Sequence, residues 1–393
     1  MRPSSSRSDD VFSGVLARGR VPEHVSGRAW LQALLDFEAG LARAQARAGL
    51  ITVDEAAAIE AACQADLYDV AEIGAGAAEI GNPAGAVVKA LKAAVADAPV
   101  HKGATSQDAM DSAAMLVTKR ALGPLLGDLR GAADAAEQLA RTHRETPMIG
   151  RTLLQQAQPT TFGLKAAGWM VGLDEAADAL HNVRLSVQFG GPVGTLAGAC
   201  PASAPPDVGV AGIEGVRNEP PPVALVRAIA RELDLDVPLL PWHTLRGRIG
   251  ELAGALGVAA GAIGKAALDV VLLAQTEVGE VREGTGGGST SMPHKHNPVA
   301  AIAAIGNAKQ APGLVATLLA AMVQEHERAA GAWHAEWRPL NELLVATGSA
   351  ASWLRTSLEE LEVDAERMRT NLNQPDPDLG AAATLVDRAL EHR

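Results

Sequence analysis

Residues 248–281 read RIGELAGALGVAAGAIGKAALDVVLLAQTEVGEV, and Leu252, Leu256, Ala259, Ile263, Ala266, Val270 and Leu273 recur in them every three or four positions. That is the period of an α-helix rather than the alternation of a strand. A helix over the whole stretch spans about 50 Å at about 1.5 Å per residue, longer than one small domain needs. The stretch therefore predicts an extended helix bundle rather than α/β units. Glycines at 254, 257, 261 and 264 interrupt it, but the apolar repeat runs straight through them, so they read as points of close approach by a neighbouring helix. Lys265 and Asp269, four apart on the other face, form a surface pair worth roughly 0.3 kcal/mol, and their charges argue against a membrane span.

Working outward, Trp30, Leu34, Phe37 or Glu38, and Leu41 fall at helical spacing behind Ser26, a capping residue for 26–48. Thr52 followed by Glu55 is a capping-box signature for a shorter helix. Asn82-Pro83 marks a turn and Pro99 a break, after which Thr105, Ser106 and Asp108 open a long helix expected over 106–146, kinked or divided near Gly123-Pro124. Pro159 ends another helical candidate, which resumes over 162–188. Residues 198–222 are rich in Pro and Gly and read as irregular, and further helices are expected over 223–234, over 299–325 with a kink at Pro312, and over 342–370. The last 23 residues hold one short helix, so the C-terminal unit is small. With no strand–helix alternation and no solenoid repeat, the fold class reads as all-α.

The 393 residues are 48% hydrophobic, enough for a large core. Asp and Glu total 46 against 34 Lys and Arg, a net charge of -12 that disfavours nucleic-acid and anionic-membrane surfaces. An anionic substrate then needs a local positive pocket. Cys63 and Cys200 have no CxxC or Cys/His spacing and read as free thiols of a cytoplasmic protein. The opening MRPSSSRSDD develops no apolar run, so no secretory signal is expected. With six Trp, four Phe and one Tyr, the core must be built mainly from Ala, Leu, Val and Ile, whose modest individual burial favours long interfaces and oligomers.

Four stretches gather polar groups at helix ends: VHKGATSQD (100–108), GRTLLQQAQPTTFG (150–163), PWHTLRGR (241–248) and GGGSTSMPHKHNP (286–298). In the last, Gly286, Gly287 and Gly288 let backbone N–H groups face an anion, and Ser289 is the candidate for proton transfer. Its hydroxyl is too weak a base alone and needs Lys295 and the donors of His294 or His296; a Gly/Ser connector is the bland alternative. Thr105 and Ser106 offer donors to a carboxylate, while Asp108 orients the turn or is simply a cap. His243 beside Trp242 is a proton relay or a buried, satisfied side chain. Arg246 and Arg248 are sources of positive charge or surface residues. Glu277 and Glu280 orient Lys295 or His101, or bridge subunits. The concentration from Gln324 to Arg328, with Trp333, His334, Glu336 and Trp337, lines a site or an oligomer contact. No HExxH-like spacing marks a metal site.

These motifs resemble the fumarase/aspartase superfamily. GGSTSMPHKHNP is similar to its signature loop and VHKGATSQD to its first motif, and the likeness continues through VQFGGPVGTLAG, PWHTLRGR and QEHERAAGAWHAEW. The resemblance implies three mostly helical domains, over 1–105, 106–340 and 341–393, the middle one a long-helix bundle and the last reduced. It implies a homotetramer whose sites draw on several subunits, no cofactor and no metal, and a small polycarboxylate substrate. It also implies roles: Ser289 in catalysis, Lys295, Asn297, Thr105 and Ser106 in binding carboxylates, and His101 and Gln155 as active-site contacts. Beyond the resemblance, His101 and His243 are candidates to relay the serine's proton, and Arg151, Arg246, Arg248 and His334 to neutralise a multiply anionic substrate. Thr152-Leu153 stands where lyases of the superfamily commonly carry Thr-His, which points to the cycloisomerase branch, closing a lactone on a tricarboxylate. A C–N or C–O lyase is the alternative within the superfamily, and a non-catalytic helical scaffold the alternative outside it. Gly247 replaces a common aspartate and His296 a common arginine.

Overall fold

The structure is a computed structural model that describes residues 11–95, 97–200, 220–284, 287–288, 292 and 295–393. Short helices α1 (Ser13–Leu16) and α2 (Val21–His24) lead into α3 (Gly27–Arg47), followed by α4 (Val53–Ala62), α5 (Val70–Ile80) and α6 (Pro83–Ala94). Caps fall where the sequence places them. Ser26 Oγ accepts from Ala29 N at 3.2 Å, and Thr52 and Glu55 form a reciprocal capping box. Asn82, expected only to mark a turn, also caps α6 by accepting from Gly85 N at 2.9 Å.

The central bundle runs back and forth between two ends. Helix α7 (Ser106–Thr142) rises, the hairpin β1 (Pro147–Thr152) and β2 (Gln155–Thr161) turns at the far end, and α8 (Phe162–His181) returns. After α9 (Pro221–Leu233), which packs on α3, helix α10 (Gly247–Leu273) rises again. Strands β3 (Val281–Glu283), β4 (Gly287–Gly288) and β5 (His296–Asn297) lie at its far end. Helices α11 (Val299–Ala308) and α12 (Ala311–Ala320) descend, and α13 (Ala332–Glu359) rises to β6 (Leu361–Val363), α14 (Ala365–Leu372) and α15 (Ala382–His392). Strand β3 pairs antiparallel with β6, and β4 with β5.

Helix α10 packs against α8, α11, α12 and α13. Its Leu252, Leu256, Ile263 and Val270 are fully buried, each contributing about 1.5–3 kcal/mol relative to exposure. It is long and apolar enough to cross a membrane by length and composition, yet one face is spent on this core. The close-packing expectation for its glycines holds on that side only. A Cβ on Gly250 would lie 2.6 Å from Met322 Sδ and one on Gly257 3.1 Å from Val315, whereas Gly254 and Gly261 have nothing within 4 Å. The two open glycines share the outer face with exposed Val258 and Leu268. Asp269 is more than half of a surface pair, because Trp169 Nε1 also donates to it at 2.8 Å.

Several expected boundaries shift. Helix α7 runs unbroken through Pro124; the missing N–H frees one carbonyl, a local loss outweighed by a core-facing side packed against α8 and α13. Helix α10 ends at Leu273, so it spans about 40 Å at about 1.5 Å per residue. The segment around Pro159 is a strand, not a helix end: Pro159 pairs with Ile149 beside a register shift, where a residue without N–H is tolerated. The hairpin turns through Leu153 and Leu154, both at positive φ (50° and 63°), the geometry of a two-residue hairpin turn that usually selects Asn-Gly. The expected helix over 299–325 is two helices with Pro312 in the first turn of the second.

Candidate active site

At the lower end of the bundle, the N-terminus of α7 organises three of the polar stretches. Asp108 is fully buried and accepts five hydrogen bonds: from Gln188 Nε2 at 3.1 Å, Gly190 N at 3.0 Å, Gly191 N at 2.9 Å, Thr105 N at 3.0 Å and His243 Nε2 at 2.8 Å. It is thus both cap and hub, tying the 100–108 stretch to the 186–191 segment and to PWHTLRGR. His243 is buried and paired, as one of its two readings had it.

Arg246 requires a correction. It is neither a surface charge nor a free cation, but 2% exposed and clamped between Asp111, at 2.7 and 3.1 Å, and Glu336, at 2.9 Å from Nε. Burial opposes its charge, and the two carboxylates overcome this and raise its pKa. Burial also raises the Glu336 carboxyl, with Arg246 pulling it back down. Asp111 further accepts from Trp333 Nε1 at 3.1 Å, and Gln324 donates to Glu336 at 2.9 Å. With its donors held in this way, Arg246 joins three elements rather than meeting a substrate anion. Arg248 lies over the Trp242 ring at 4.7 Å.

Within the concentration expected to line a site or an oligomer contact, Arg328 is the cation that reaches the start of α7. Half-buried, it donates to Thr105 Oγ1 at 2.8 Å and carries no ion pair to a carboxylate among the described residues. Its guanidinium therefore faces the Thr105–Ser106 corner with charge to spare. Ser106 opens α7 and is half-buried. His334 lies against Trp337 and Trp333, at ring separations of 4.6 and 5.2 Å, and its Nε2 contacts Gly81 O at 3.1 Å. His101 stands in the same corner, its Nδ1 2.6 Å from Glu38 Oε1. Glu38, a charge at a core-facing position of α3, went unassigned in the sequence; that misfit with the helical period is the signal that exposes it.

The remaining candidates lie at the other end. Arg151 on β1 forms a two-pronged pair with buried Glu280, at 2.9 and 2.7 Å, and Asn371 Nδ2 adds a 2.8 Å contact. Glu280 is therefore held within its own chain, which corrects both readings offered for it and engages the charge expected of Arg151. Gln155 pairs with Thr152 at the exposed hairpin tip. Glu283 accepts from Ala300 N at 3.0 Å and Ala301 N at 2.8 Å, capping α11 directly behind the signature loop. Asn297 and His296 line a cavity of about 760 Å³ with Arg282, Glu283 and Glu362. Lys295 is exposed, its backbone N–H closing a turn to Met292 O at 3.0 Å. Ser289, Gly286 and His294 lie outside the described residues.

His101, Thr105, Ser106, His243, Arg246 and His334 thus sit at one end, and Arg151, Gln155, Lys295, Asn297 and the edges of the Ser289 loop at the other. Helix α10, about 40 Å long, runs between them. Within one chain the two half-sites do not meet.

A sequence model described as a lyase matches residues 18–313. The chain is 46% identical over 359 residues to a 3-carboxy-cis,cis-muconate cycloisomerase of Pseudomonas aeruginosa, covering 88% of this chain and 74% of the relative. It is 44% identical over 376 residues to a nitrosuccinate lyase of Streptomyces davaonensis, covering 92% and 77%. Among solved structures it superposes on the 3-carboxy-cis,cis-muconate lactonizing enzyme of Pseudomonas putida with a TM-score of 0.83 and 40% identity, covering 98% of this chain and 88% of that one.

Proposed function

We propose, on the premise that this chain belongs to the lyase family of the fumarase/aspartase superfamily, that it is a cycloisomerase converting 3-carboxy-cis,cis-muconate to 4-carboxymuconolactone in protocatechuate catabolism, in the cytoplasm. The observation that carries this choice is Leu153. It stands at the hairpin tip, 96% exposed, where it can neither donate nor accept a proton. Eliminating an amine or alkoxide requires an acid to protonate the leaving group. Closing a lactone requires none, because the group that adds, and that leaves in reverse, is already a stable carboxylate.

In this mechanism a carboxylate oxygen attacks the distal alkene carbon and closes a five-membered ring. The electron pair moves onto a second carboxylate, giving an aci-carboxylate, and a proton delivered to the alpha carbon completes the lactone. Arg328, Thr105 and Ser106 from one half-site, with Lys295 and Asn297 from the other, stabilise the developing charge. Ser289 delivers the proton, with His101 as its partner. His243 and Arg246 hold the scaffold beneath them.

The half-sites meet across subunits of a homotetramer. Support comes from their separation along α10 and from that helix's outer face, where Val258 and Leu268 lie exposed beside two glycines open to contact. Of the units 1–105, 106–340 and 341–393, the first boundary falls at the start of α7, whereas the second falls inside α13 (Ala332–Glu359), so we place the start of the last unit after that helix.

Mixing protein with 3-carboxy-cis,cis-muconate should abolish the absorbance of the conjugated diene; unchanged absorbance over a range of enzyme concentrations would overturn the assignment. The second reading, elimination of nitrite from a nitrosuccinate, is favoured by the 44% identity to that lyase and likewise needs no acid, nitrite being a stable leaving anion. Nitrite release without loss of diene would select it.

A further inference from the structure

Helix α3 is apolar toward the bundle except at two buried positions seven residues apart, Glu38 and Gln45, 2% and 1% exposed. Both reach the same corner. Glu38 Oε1 lies 2.6 Å from His101 Nδ1, and Gln45 Nε2 donates to Lys102 O at 2.8 Å. The corner is held against its own preference. His101 sits at φ 63°, which is uncommon for a residue with a side chain. Gly103, at φ 76°, lies so close to the Ala199 backbone that a Cβ would fall 2.7 Å from its Cα. Glu38 Oε2 has no hydrogen-bond partner among the described residues. The pair's one hydrogen bond therefore runs between Oε1 and Nδ1, and a carboxylate there can only accept, which makes Nδ1–H the donor.

We infer that Glu38 is a positioning residue: it accepts the Nδ1 proton of His101, fixes the ring and its tautomer, and leaves Nε2 as the nitrogen that meets the substrate or the serine. The role rests on the functional reading above, with His101 in the site. The same contact favours the imidazolium. Burial lowers the His101 pKa, and the charge and hydrogen bond of Glu38, helped by Asp108 at the start of α7 and opposed by Lys92 on α6, leave it raised. Lys102, next along the chain, points its Nζ to Leu50 O at 3.3 Å. The raised pKa widens the pH range in which His101 carries Nε2–H as a donor, suited to returning a proton to Ser289 after each turnover.

The test separates this role from the identity of the substrate. In protein labelled with 15N at histidine, the His101 signals, assigned by their loss in His101→Gln, should show the Nδ1–H tautomer when neutral. Their titration should move to lower pH in Glu38→Gln, which keeps an acceptor but removes the charge. With the carboxymuconate, Glu38→Gln should lower kcat roughly tenfold at pH 8 and less at pH 6, with KM little changed, because a general acid contributes only while protonated. Glu38→Asp should restore part of the pH profile. An Nε2–H tautomer in the unmodified protein, readable even if no Glu38 variant folds, or an unchanged His101 titration in Glu38→Gln, would overturn the inference. A shifted titration with no activity on any tested carboxylate would leave Glu38 in its role and sink the substrate assignment instead.

Discussion

His243 Nε2 lies 2.8 Å from Asp108 Oδ1, joining two motifs 135 positions apart at a point with almost no solvent access. Because the same carboxylate also holds Thr105, Gln188, Gly190 and Gly191, an amide cannot replace it: its NH2 would face donors. Asp108→Asn should destabilise the protein by about 3 kcal/mol or more, read as a lower urea midpoint. A loss below about 1 kcal/mol would mean that the hub matters little.

The Arg246 clamp makes a second stability prediction. Arg246→Leu leaves Asp111 and Glu336 buried side by side without a countercharge, which should cost about 3–5 kcal/mol. Changing all three to apolar residues of similar volume should recover much of that. If the single variant matches the unaltered protein in denaturant, the clamp is not a determinant of folding.

Arg328 should behave differently. Half-buried and free of carboxylate partners among the described residues, it can be altered without stranding a buried charge. Arg328→Ala should leave the melting temperature within a few degrees while lowering kcat/KM by roughly 10- to 100-fold, as for one charge-assisted hydrogen bond of about 1.5–3 kcal/mol. Unaltered kcat/KM would remove it from the site.

Shared sites predict complementation. Ser289→Ala and His101→Gln should each cut activity by about a hundredfold or more, and co-refolding the two should restore part of it, because some assembled sites then receive neither change. Light scattering on the unmodified protein should give four chains. Failure of every mixture to exceed its parents would count against sites built between chains.

The His101–Glu38 pair also fixes a pH dependence of stability. Since the folded pKa of His101 lies above its ordinary 6.5, the pair's contribution is complete below about 6.5 and is lost as pH rises through the raised folded value. Melting temperatures across this range should fall more steeply for the unmodified protein than for His101→Gln. Parallel curves would show that the pair does not titrate differently on folding.

Much of this was legible in one dimension. The 3.6-residue period of 248–281 announced the bundle because a helix facing a core must repeat its apolar residues once per turn. Caps at Ser26 and Thr52 were readable because their partners lie within four residues. The hairpin was not, since GRTLLQQAQPTTF lacks apolar alternation and its turn uses two leucines in place of Asn-Gly. Nor was the continuity of α7 past Pro124, because that proline carries a local penalty whose compensation comes from α8 and α13. Glu38 and Arg328 were visible only as charges whose partners lie 63 and 223 positions away.

The sequence by itself determined which residues can do chemistry and that they ride on long helices, because hydroxyls, charges and helical period are local properties. Only the tertiary structure decided which charges are spent and which remain available. Arg246 and Arg151 are engaged and Arg328 is not, since pairing depends on which helix ends meet in space. It also set the half-sites at opposite ends of α10, a separation fixed by the 1.5 Å rise of each helical residue.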